Sequence, residues 1–367
     1  MNQQSRFDSR LDLVRFIAFF LVFFTHFINE GGNAIRNRSN VWWNQDFIQR
    51  FADFGGQGVP IFFALTGFLL GRLLIREFTT TNSISIRSFY IRRVYRIWPL
   101  YFLYLIICFL ANPFSSGTPA INKSELPFYL TFTYNWGQIF ANLPGSMATI
   151  TWSVSVEEQI YLFLPVLVSL ISFRKFEIAS FLLVSLGTIS LVMSDFGYIP
   201  GHARLTTSYF LPVGIGLFVA IKEDLVRNSK RDFRFIKWLV LFLAISYVAF
   251  FPEISAATFG ATATMFLTSF FFVALLFTAD RFVNVENTCV KLLARIGRVS
   301  YGCYLYHWAV WTVMTGKEFL YSDNKGFSIL GVLVGLLATI LISEFSYRFF
   351  ESWFLKKRKK YQIVESP

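Results

Sequence analysis

Ionisable side chains interrupt several long apolar stretches of this 367-residue chain, beginning with residues 11–28. Asp12 and Arg15 are three residues apart, so on a helix they share a face and form an expected ion pair. His26 follows eleven residues after Arg15, which is about three helical turns and a rise of about 16 Å. Arg15 and His26 therefore lie on the same stripe along one helix face, at different depths in the membrane. If that stripe faces the interior of a helix bundle, it lines a polar path; the alternative is an arginine that snorkels to lipid phosphates and a backbone-bonded histidine.

Three arginines, Arg92, Arg93 and Arg96, are packed into five positions just before Pro99. Guanidinium groups bind phosphate oxygens in pairs, so this cluster indicates a docking site for a phosphorylated donor. A basic flank next to a membrane-spanning helix has the same composition. The sequence leaves both interpretations open.

Two adjacent carboxylates, Glu157 and Glu158, lie near the start of the apolar stretch 152–172. Acidic residues are favourable at helix N-termini, which accounts for one of them. Adjacent helical side chains point about 100° apart, so we expect at least one carboxylate to face the bundle or a polar cavity.

Polar residues also mark the segment 296–310, which contains Arg298, Ser300, Tyr301 and His307. His307 lies near the middle of a predicted span, where an unpaired imidazole is costly, so it requires a partner. A carboxylate such as Glu157 is the candidate partner.

The elements that must position these residues are membrane helices. Of the chain, 54% is hydrophobic and only 15% is charged, and the mean hydropathy is +0.51. Crossing a hydrocarbon core takes roughly 20 apolar residues per helix. The sequence predicts an all-α bundle of about ten such helices, at residues 11–28, 58–75, 95–112, 152–172, 178–194, 206–221, 236–251, 257–279, 297–315 and 327–350.

Lys and Arg are concentrated at the N-terminus, in alternate connections such as 76–94 and 222–235, and in the tail. Basic connections stay in the cytoplasm, so both termini are predicted to be cytoplasmic. This topology and anionic lipid headgroups account for the net charge of +12, and nucleic acid is not an expected partner. The three cysteines lack metal-ligand spacing, and we expect no metal site.

Two long connections, 29–57 and 113–151, are placed on the outer side by this topology. The second contains an amphipathic piece, residues 126–140, that either lies in the interface or re-enters the membrane. Aromatic rings in these connections either stack on sugars or anchor the chain at the interface; they are Trp42, Trp43, Tyr129, Tyr134 and Trp136.

Five ordered motifs together resemble the bacterial integral-membrane O-acyltransferases of acyltransferase family three. They are the Arg15 and His26 spacing within LDLVRFIAFFLVFFTHF, the Gly-rich GVPIFFALTGFLL, the R-x-x-R pair Arg93 and Arg96, TWSVSVEEQIYL, and VSYGCYLYHWAV ending at Val310. Departures are mild: Thr66 and Gly302 stand where Ser is common, Pro60 where Asp is common, and Ala309 where Pro is common.

The resemblance covers essentially the whole chain. It implies a multi-pass protein of the bacterial cytoplasmic membrane that takes acyl-CoA, most simply acetyl-CoA, from the cytoplasm and acylates a glycan or lipid-linked sugar on the far side. We expect a single transmembrane acyltransferase domain, residues 1–355, followed by a short basic tail, residues 356–367. We expect no soluble hydrolase-like domain of the kind that some relatives carry.

The chemistry of acyl transfer to a hydroxyl leads to a hypothesis about the role of each of these residues. His26 is the expected base or nucleophile, Arg92, Arg93 and Arg96 hold the donor phosphates, and Arg15 lies further along the same channel with its partner Asp12. Glu157, Glu158 and His307 orient polar groups, and the acceptor contacts are Trp152, Ser153, Tyr301 and Arg204.

A different class of function fits some of the same features. Intramembrane charges also line the substrate pathways of transporters and flippases. Such proteins are typically built from internal repeats, and this sequence has none that we detect. A structural or signalling membrane protein is a further alternative, and it predicts no donor binding.

Overall fold

The computed structural model describes residues 3–30, 45–111, 121–171, 175–201, 203–223, 242–243, 245–315, 321–322, 326–327 and 329–361. Its α-helices are α1 (Gln3–Thr25), α2 (Gln45–Gly55), α3 (Gly58–Thr81), α4 (Ile86–Ala111), α5 (Leu126–Leu130), α6 (Tyr134–Phe140), α7 (Trp152–Ile171), α8 (Phe176–Asp195), α9 (Phe210–Ile221), α10 (Phe251–Ser255), α11 (Gly260–Phe282), α12 (Thr288–Arg298), α13 (Ser300–Thr315), α14 (Ile329–Ser346) and α15 (Ser352–Arg358).

Shorter elements connect or extend these helices. Two π-helical turns, His26–Glu30 and Tyr347–Glu351, follow α1 and α14. Single 3₁₀ turns occur at Lys123–Glu125, Thr149–Thr151, Thr206–Tyr209 and Lys359–Tyr361. A two-stranded antiparallel pair joins β1 (Tyr321–Ser322) to β2 (Gly326–Phe327).

The prediction of an all-helical membrane bundle is confirmed. Seven helical segments of the described residues are long and apolar enough to cross a membrane: Ser9–Ile28, Gln49–Thr81, Ile86–Ala111, Thr149–Leu170, Phe176–Asp195, Gly260–Ala279 and Ile329–Tyr361. Thr206–Ile221 is a shorter apolar helix, and α13 has 16 residues. Residues 236–241 and 244 of the predicted stretch 236–251 lie outside the described residues. The count of ten and the cytoplasmic termini remain predictions.

The turn between α3 and α4 sets where the arginine cluster lies. Asn82 ends α3 in the left-handed conformation, with φ of 54°, and its N–H donates to the Phe78 carbonyl at 2.8 Å. The buried Glu77 carboxylate accepts from the Ser85 N–H at 2.7 Å. Helix α4 consequently begins at Ile86, earlier than the predicted 95, and the arginines lie within the helix rather than in a flank before it.

Helices α3 and α9 cross in direct backbone contact. A Cβ atom at Gly67 would lie 2.1 Å from the Val213 carbonyl oxygen, and one at Gly216 would lie 1.9 Å from the Ala64 carbonyl oxygen. Small residues permit this closeness, which is how helices pack well in lipid, where no hydrophobic effect drives them together. The crossing holds α3 within the largest apolar core of the bundle.

Helix α12 ends against the start of α1 in a similar way. A Cβ at Gly297 would lie 1.7 Å from the Asp12 carbonyl oxygen, so only glycine fits. This contact brings the Arg298 Nε to 3.4 Å from the Asp12 carboxylate. Asp12 therefore lies between two arginines, Arg15 and Arg298, and the predicted Asp12–Arg15 ion pair is present.

Two of the aromatic residues considered for sugar stacking are core residues. Tyr129 and Tyr134 are fully buried and stack on each other, with ring centroids 4.2 Å apart. The Tyr129 hydroxyl bonds to Ser146, so these rings belong to the packed core of the segment 121–151 and are closed to a ligand. Trp136 is 42% exposed, and Trp42 and Trp43 lie outside the described residues.

The α3–α9 crossing generates a stability prediction. Gly216→Ala pushes a methyl group into the α3 backbone, and we expect it to lower the unfolding free energy by about 1–3 kcal/mol. The thermal unfolding midpoint of the detergent-purified protein measures this. Gly56→Ala is the control, because the nearest atom to its Cβ is 4.0 Å away. Equal midpoints for the two variants would show that the helices do not cross at Gly216.

Candidate active site

A cavity of about 110 Å³ lies inside the bundle between α1, α3, α4, α7 and α13. One part of its wall is apolar, with Phe62, Phe63 and Leu70 of α3 among the lining residues. The polar wall contains residues from four helices: Arg15, Arg93, Arg96, Ser153, Glu157, Tyr161, Tyr301 and Tyr304. A mainly apolar pocket with a few convergent polar groups is typical of a binding site for a small organic ligand.

Arg93 and Arg96 supply the cavity with cationic donors. The Arg93 guanidinium lies over the Phe89 and Tyr161 rings, 5.5 and 5.2 Å from their centroids. Its Nε is buried with no hydrogen-bond partner among the described residues. Arg96 forms no hydrogen bond or ion pair within the described part of the chain. Both residues therefore have N–H donors available to a ligand.

Arg92 does not reach this cavity. Its Nη2 lies 2.9 Å from the Glu77 carboxylate, and its Nη1 donates to the Tyr361 carbonyl at 2.9 Å. Arg92 is 5% exposed and Glu77 is 0% exposed, so this is a buried ion pair. Adjacent helical residues point about 100° apart, which is why Arg92 turns to α3 while Arg93 turns to the cavity. The structure therefore does not bring Arg92 to the cavity that Arg93 and Arg96 line.

The two carboxylates of α7 take different positions. Glu157 lines the cavity and accepts a hydrogen bond from the Tyr161 hydroxyl. Glu158 accepts from the Trp98 indole N–H at 3.1 Å, and its second oxygen is buried with no partner among the described residues. The cavity therefore contains one carboxylate alongside its arginines, and the second lies on the neighbouring face of α7.

His26 and His307 are in direct contact. The Nδ1 atom of His26 lies 3.0 Å from the Nε2 atom of His307, and the rings stack with centroids 5.1 Å apart. His307 is fully buried, while His26 is half-buried at the π-helical turn that ends α1. The sequence analysis expected a carboxylate such as Glu157 as the partner of His307. That expectation is wrong, because the partner is the imidazole of His26.

The hydrogen bonds around this pair assign its protons. The His307 Nδ1 lies 3.2 Å from the Cys303 carbonyl oxygen, which can only accept, so His307 Nδ1 carries a proton. In the neutral ring the Nε2 of His307 is then an acceptor, and the Nδ1–H of His26 donates a hydrogen bond to it. The Nε2 of His26 is thereby left with its lone pair, which is the arrangement of a base oriented by a second group.

Tyr304 connects the histidine pair to the cavity. Its ring centroid lies 5.7 Å from that of His307, and its hydroxyl accepts from the Ser153 hydroxyl at 2.7 Å. Tyr304 and Ser153 both line the cavity. Tyr301, one helical turn before Tyr304, also lines it and donates to the Ile97 carbonyl at 3.1 Å. The histidines therefore lie one side chain away from the cavity wall.

The remaining predicted contacts lie further away. The half-buried Trp152 ring packs 6.0 Å from the Tyr209 ring and does not line the cavity. Arg204 is exposed, and its carbonyl accepts from the Asn135 side chain at 3.1 Å. The structure does not bring these two residues to the cavity.

The sequence pattern assigned no role to Tyr304, Trp308 or Tyr161. The Trp308 ring meets the His26 ring edge to face, 5.0 Å away, and stacks on Trp311 at 4.7 Å. The Trp311 indole N–H is buried and has no acceptor among the described residues. Helical spacing could have identified Tyr304 from the sequence. Tyr304 lies three residues before His307 and Trp311 lies four residues after it, so both share the helix face of His307.

No group of three or more His, Cys, Asp or Glu side chains that could hold a metal ion occurs within the described ranges. The three cysteines, Cys108, Cys289 and Cys303, are free thiols.

Comparison with known proteins gives a consistent set of relatives. The acyltransferase domain family matches residues 8–348. The peptidoglycan O-acetyltransferase OatA of Listeria monocytogenes is 26% identical over 319 residues, which is 80% of this chain and 50% of OatA. A Staphylococcus aureus protein named for O-acetyltransferase activity is 26% identical over 337 residues, 83% of this chain and 53% of its own.

The chain spans about half the length of these curated relatives. A protein of Acidianus two-tailed virus, named for acetyltransferase activity, is 25% identical over 305 residues that make up 80% of each chain. No solved structure matches the chain significantly.

The different surroundings of Arg92 and Arg96 lead to stability predictions of different size. Arg92→Ala leaves the Glu77 carboxylate buried and unpaired, so the unfolding free energy should fall by about 3–5 kcal/mol. Arg96→Ala removes no hydrogen bond or ion pair with a described residue and should change stability by less than about 0.5 kcal/mol. Thermal unfolding of the two purified variants measures this, and a similar loss in both would contradict the different placement of the two side chains.

Proposed function

The chain belongs to the acyltransferase domain family, and on that premise we propose that it is a membrane O-acyltransferase acting on sugars. It moves an acyl group, acetyl in the simplest case, from cytoplasmic acyl-CoA to a hydroxyl of a cell-surface or lipid-linked carbohydrate. The names of its relatives support the acetyl group and the sugar acceptor, since one is a peptidoglycan O-acetyltransferase.

One observation carries the proposal: an imidazole base, oriented by a second imidazole, lies beside a cavity that contains arginines with available donors. Acyl transfer to a hydroxyl needs a group that takes the hydroxyl proton. A donor carried on a phosphorylated cofactor needs cationic groups that bind phosphate. The two requirements are met here at neighbouring positions of one bundle.

His26 is the proposed base. Its Nε2 lone pair takes the proton of the acceptor hydroxyl while the hydroxyl oxygen attacks the thioester carbonyl. The tetrahedral oxyanion then collapses, the carbon–sulfur bond breaks, and the leaving thiolate takes the proton back from His26. The contact with His307 keeps the Nδ1 proton of His26 in place and stabilises the imidazolium that forms in between.

A covalent variant uses the same nitrogen. In that route His26 Nε2 attacks the thioester first, and the acyl-imidazole then passes its acyl group to the sugar hydroxyl. Trapping of labelled acyl-enzyme in the absence of acceptor distinguishes this route from direct transfer.

The donor occupies the arginine side of the cavity in this proposal. Arg93 and Arg96 bind the CoA phosphates, and Arg15, held by Asp12, extends the cationic wall toward the thioester. The apolar wall of α3 accommodates the uncharged arm of the donor and the acyl group. The Glu157 carboxylate balances the positive charge of the arginines. The Glu158 carboxylate adds a second negative charge on the adjacent face of α7.

The acceptor approaches from the opposite side. Ser153 and Tyr301 line the cavity and can meet its hydroxyl groups, while Trp152 and Arg204 are more distant acceptor contacts. We place residues 1–355 in one transmembrane catalytic domain with both termini in the cytoplasm of a bacterial cell, and residues 356–367 in a basic tail.

His26→Gln tests the base. Glutamine can still bond to His307 but cannot take a proton at neutral pH, so the rate of transfer should fall at least about 100-fold. The measurement is transfer of label from radiolabelled acetyl-CoA to lipid-linked or polymeric sugar in membranes, with the unfolding midpoint of the variant as the control for folding. Unchanged transfer would remove His26 from the mechanism, and movement of sugar across the membrane without any label transfer would favour a transporter.

Arg93→Ala tests the donor site. Loss of a charge-assisted contact to phosphate should raise the KM for acetyl-CoA about tenfold or more, with a smaller effect on kcat. The kinetics are followed in detergent with a fixed concentration of acceptor. A KM equal to that of the wild type would place the donor phosphates elsewhere.

A further inference from the structure

The C-terminal segment 352–361 is docked on the bundle, although its sequence is that of a basic tail. Helix α15 packs along α4, and the Tyr361 carbonyl accepts the hydrogen bond from Arg92 at 2.9 Å. The Tyr361 ring stacks on the Tyr95 ring, with centroids 6.0 Å apart and planes at 23°. The segment is thus fixed beside the helix that carries the arginines of the cavity.

Docking of the segment on α4 brings Arg358 near this cluster. The half-buried Arg358 guanidinium lies within electrostatic range of Arg92, Arg93 and Arg96. Arg92 is paired with Glu77, but Arg358 makes no hydrogen bond or ion pair with any described residue. The other basic side chains of the segment differ: Lys357 lies over the Trp353 ring at 3.5 Å, and Lys360 is exposed.

Three guanidinium groups without complete pairing are costly to hold near one another, because like charges repel and the Nε of Arg93 is buried with no hydrogen-bond partner among the described residues. A ligand with several anionic oxygens removes both costs at once. Phosphate and pyrophosphate groups have the geometry that paired guanidinium donors bind. The cluster is therefore complementary to a phosphoryl group rather than to a single carboxylate.

We propose that Arg358 completes, with Arg93 and Arg96, a phosphate-binding subsite that holds the phosphoryl groups of the acyl donor. The inference rests on the proposed function for the identity of the donor. It makes the C-terminal helix a part of the donor site, and it makes Arg358 a binding residue for the donor rather than a topology signal. An anionic lipid headgroup offers the same phosphoryl chemistry, so the experiment must separate the two sources.

Binding of CoA and the kinetics of acetyl-CoA test the subsite in the full-length detergent-purified protein. Arg358→Ala should weaken CoA binding and raise the KM for acetyl-CoA by about tenfold, the size expected for one charge-assisted contact, with little change in kcat. Arg358→Lys should recover part of the loss, since it restores the charge but not the paired donors. Lys360→Ala is the matched control: it removes one charge from the same segment at an exposed position and should change neither constant.

Two results would overturn the subsite, and a third would reject the proposed function. Equal CoA affinity in Arg358→Ala and Lys360→Ala, with unfolding midpoints like that of the wild type, would overturn the subsite. The subsite is also overturned if Arg358→Ala loses only its binding to phosphatidylglycerol vesicles and keeps its CoA affinity, because the ligand is then a lipid. A wild-type protein that binds CoA through Arg358 but transfers no label would leave the subsite standing and reject the proposed function.

Discussion

A neutral imidazole inside a lipid-embedded bundle must have a hydrogen-bond partner, and in this protein two imidazoles satisfy each other. His26 and His307 are 281 positions apart in the chain, yet their ring nitrogens lie 3.0 Å apart. The rings of Phe19 and Phe23 surround the buried His307 with centroids 6.3 and 6.5 Å away. Because these phenyl rings offer no polar group, α1 and α13 must keep their relative register for either histidine to remain satisfied.

That register also determines what the cavity contains. With α1 fixed against α13, Arg15 faces the same space as Tyr301 and Tyr304, and α4 and α7 complete the wall. The residues that line the cavity include Arg15, Arg93 and Arg96 but neither histidine, and the ring centroid of His307 lies 5.7 Å from that of the lining residue Tyr304. A donor with a charged end and a reactive end requires such a separation, since a phosphate-binding arginine next to the base would raise the cost of forming an imidazolium.

The local pattern of the sequence was sufficient to predict the helices and many of the residues that line the cavity. Helical spacing correctly paired Asp12 with Arg15, and the arginine cluster identified in the sequence includes Arg93 and Arg96, which line the cavity. The sequence analysis did not separate Arg92 from its neighbours, because it started this helix only at residue 95 and because the partner of Arg92, Glu77, lies on another helix. The partner of His307 and the docking of Arg358 could not be predicted from the sequence either. Contacts between distant segments depend on how the helices pack, and they produce no characteristic residue spacing.

A structure of the protein in lipid nanodiscs with a bound non-hydrolysable acetyl-CoA analogue would show directly whether the cavity is the site of transfer. We expect phosphoryl groups within hydrogen-bond distance of Arg93 and Arg96, and the acyl carbonyl next to the Nε2 atom of His26. An analogue bound outside this cavity, or a His26 imidazole that faces lipid and has lost contact with His307, would contradict the proposed mechanism.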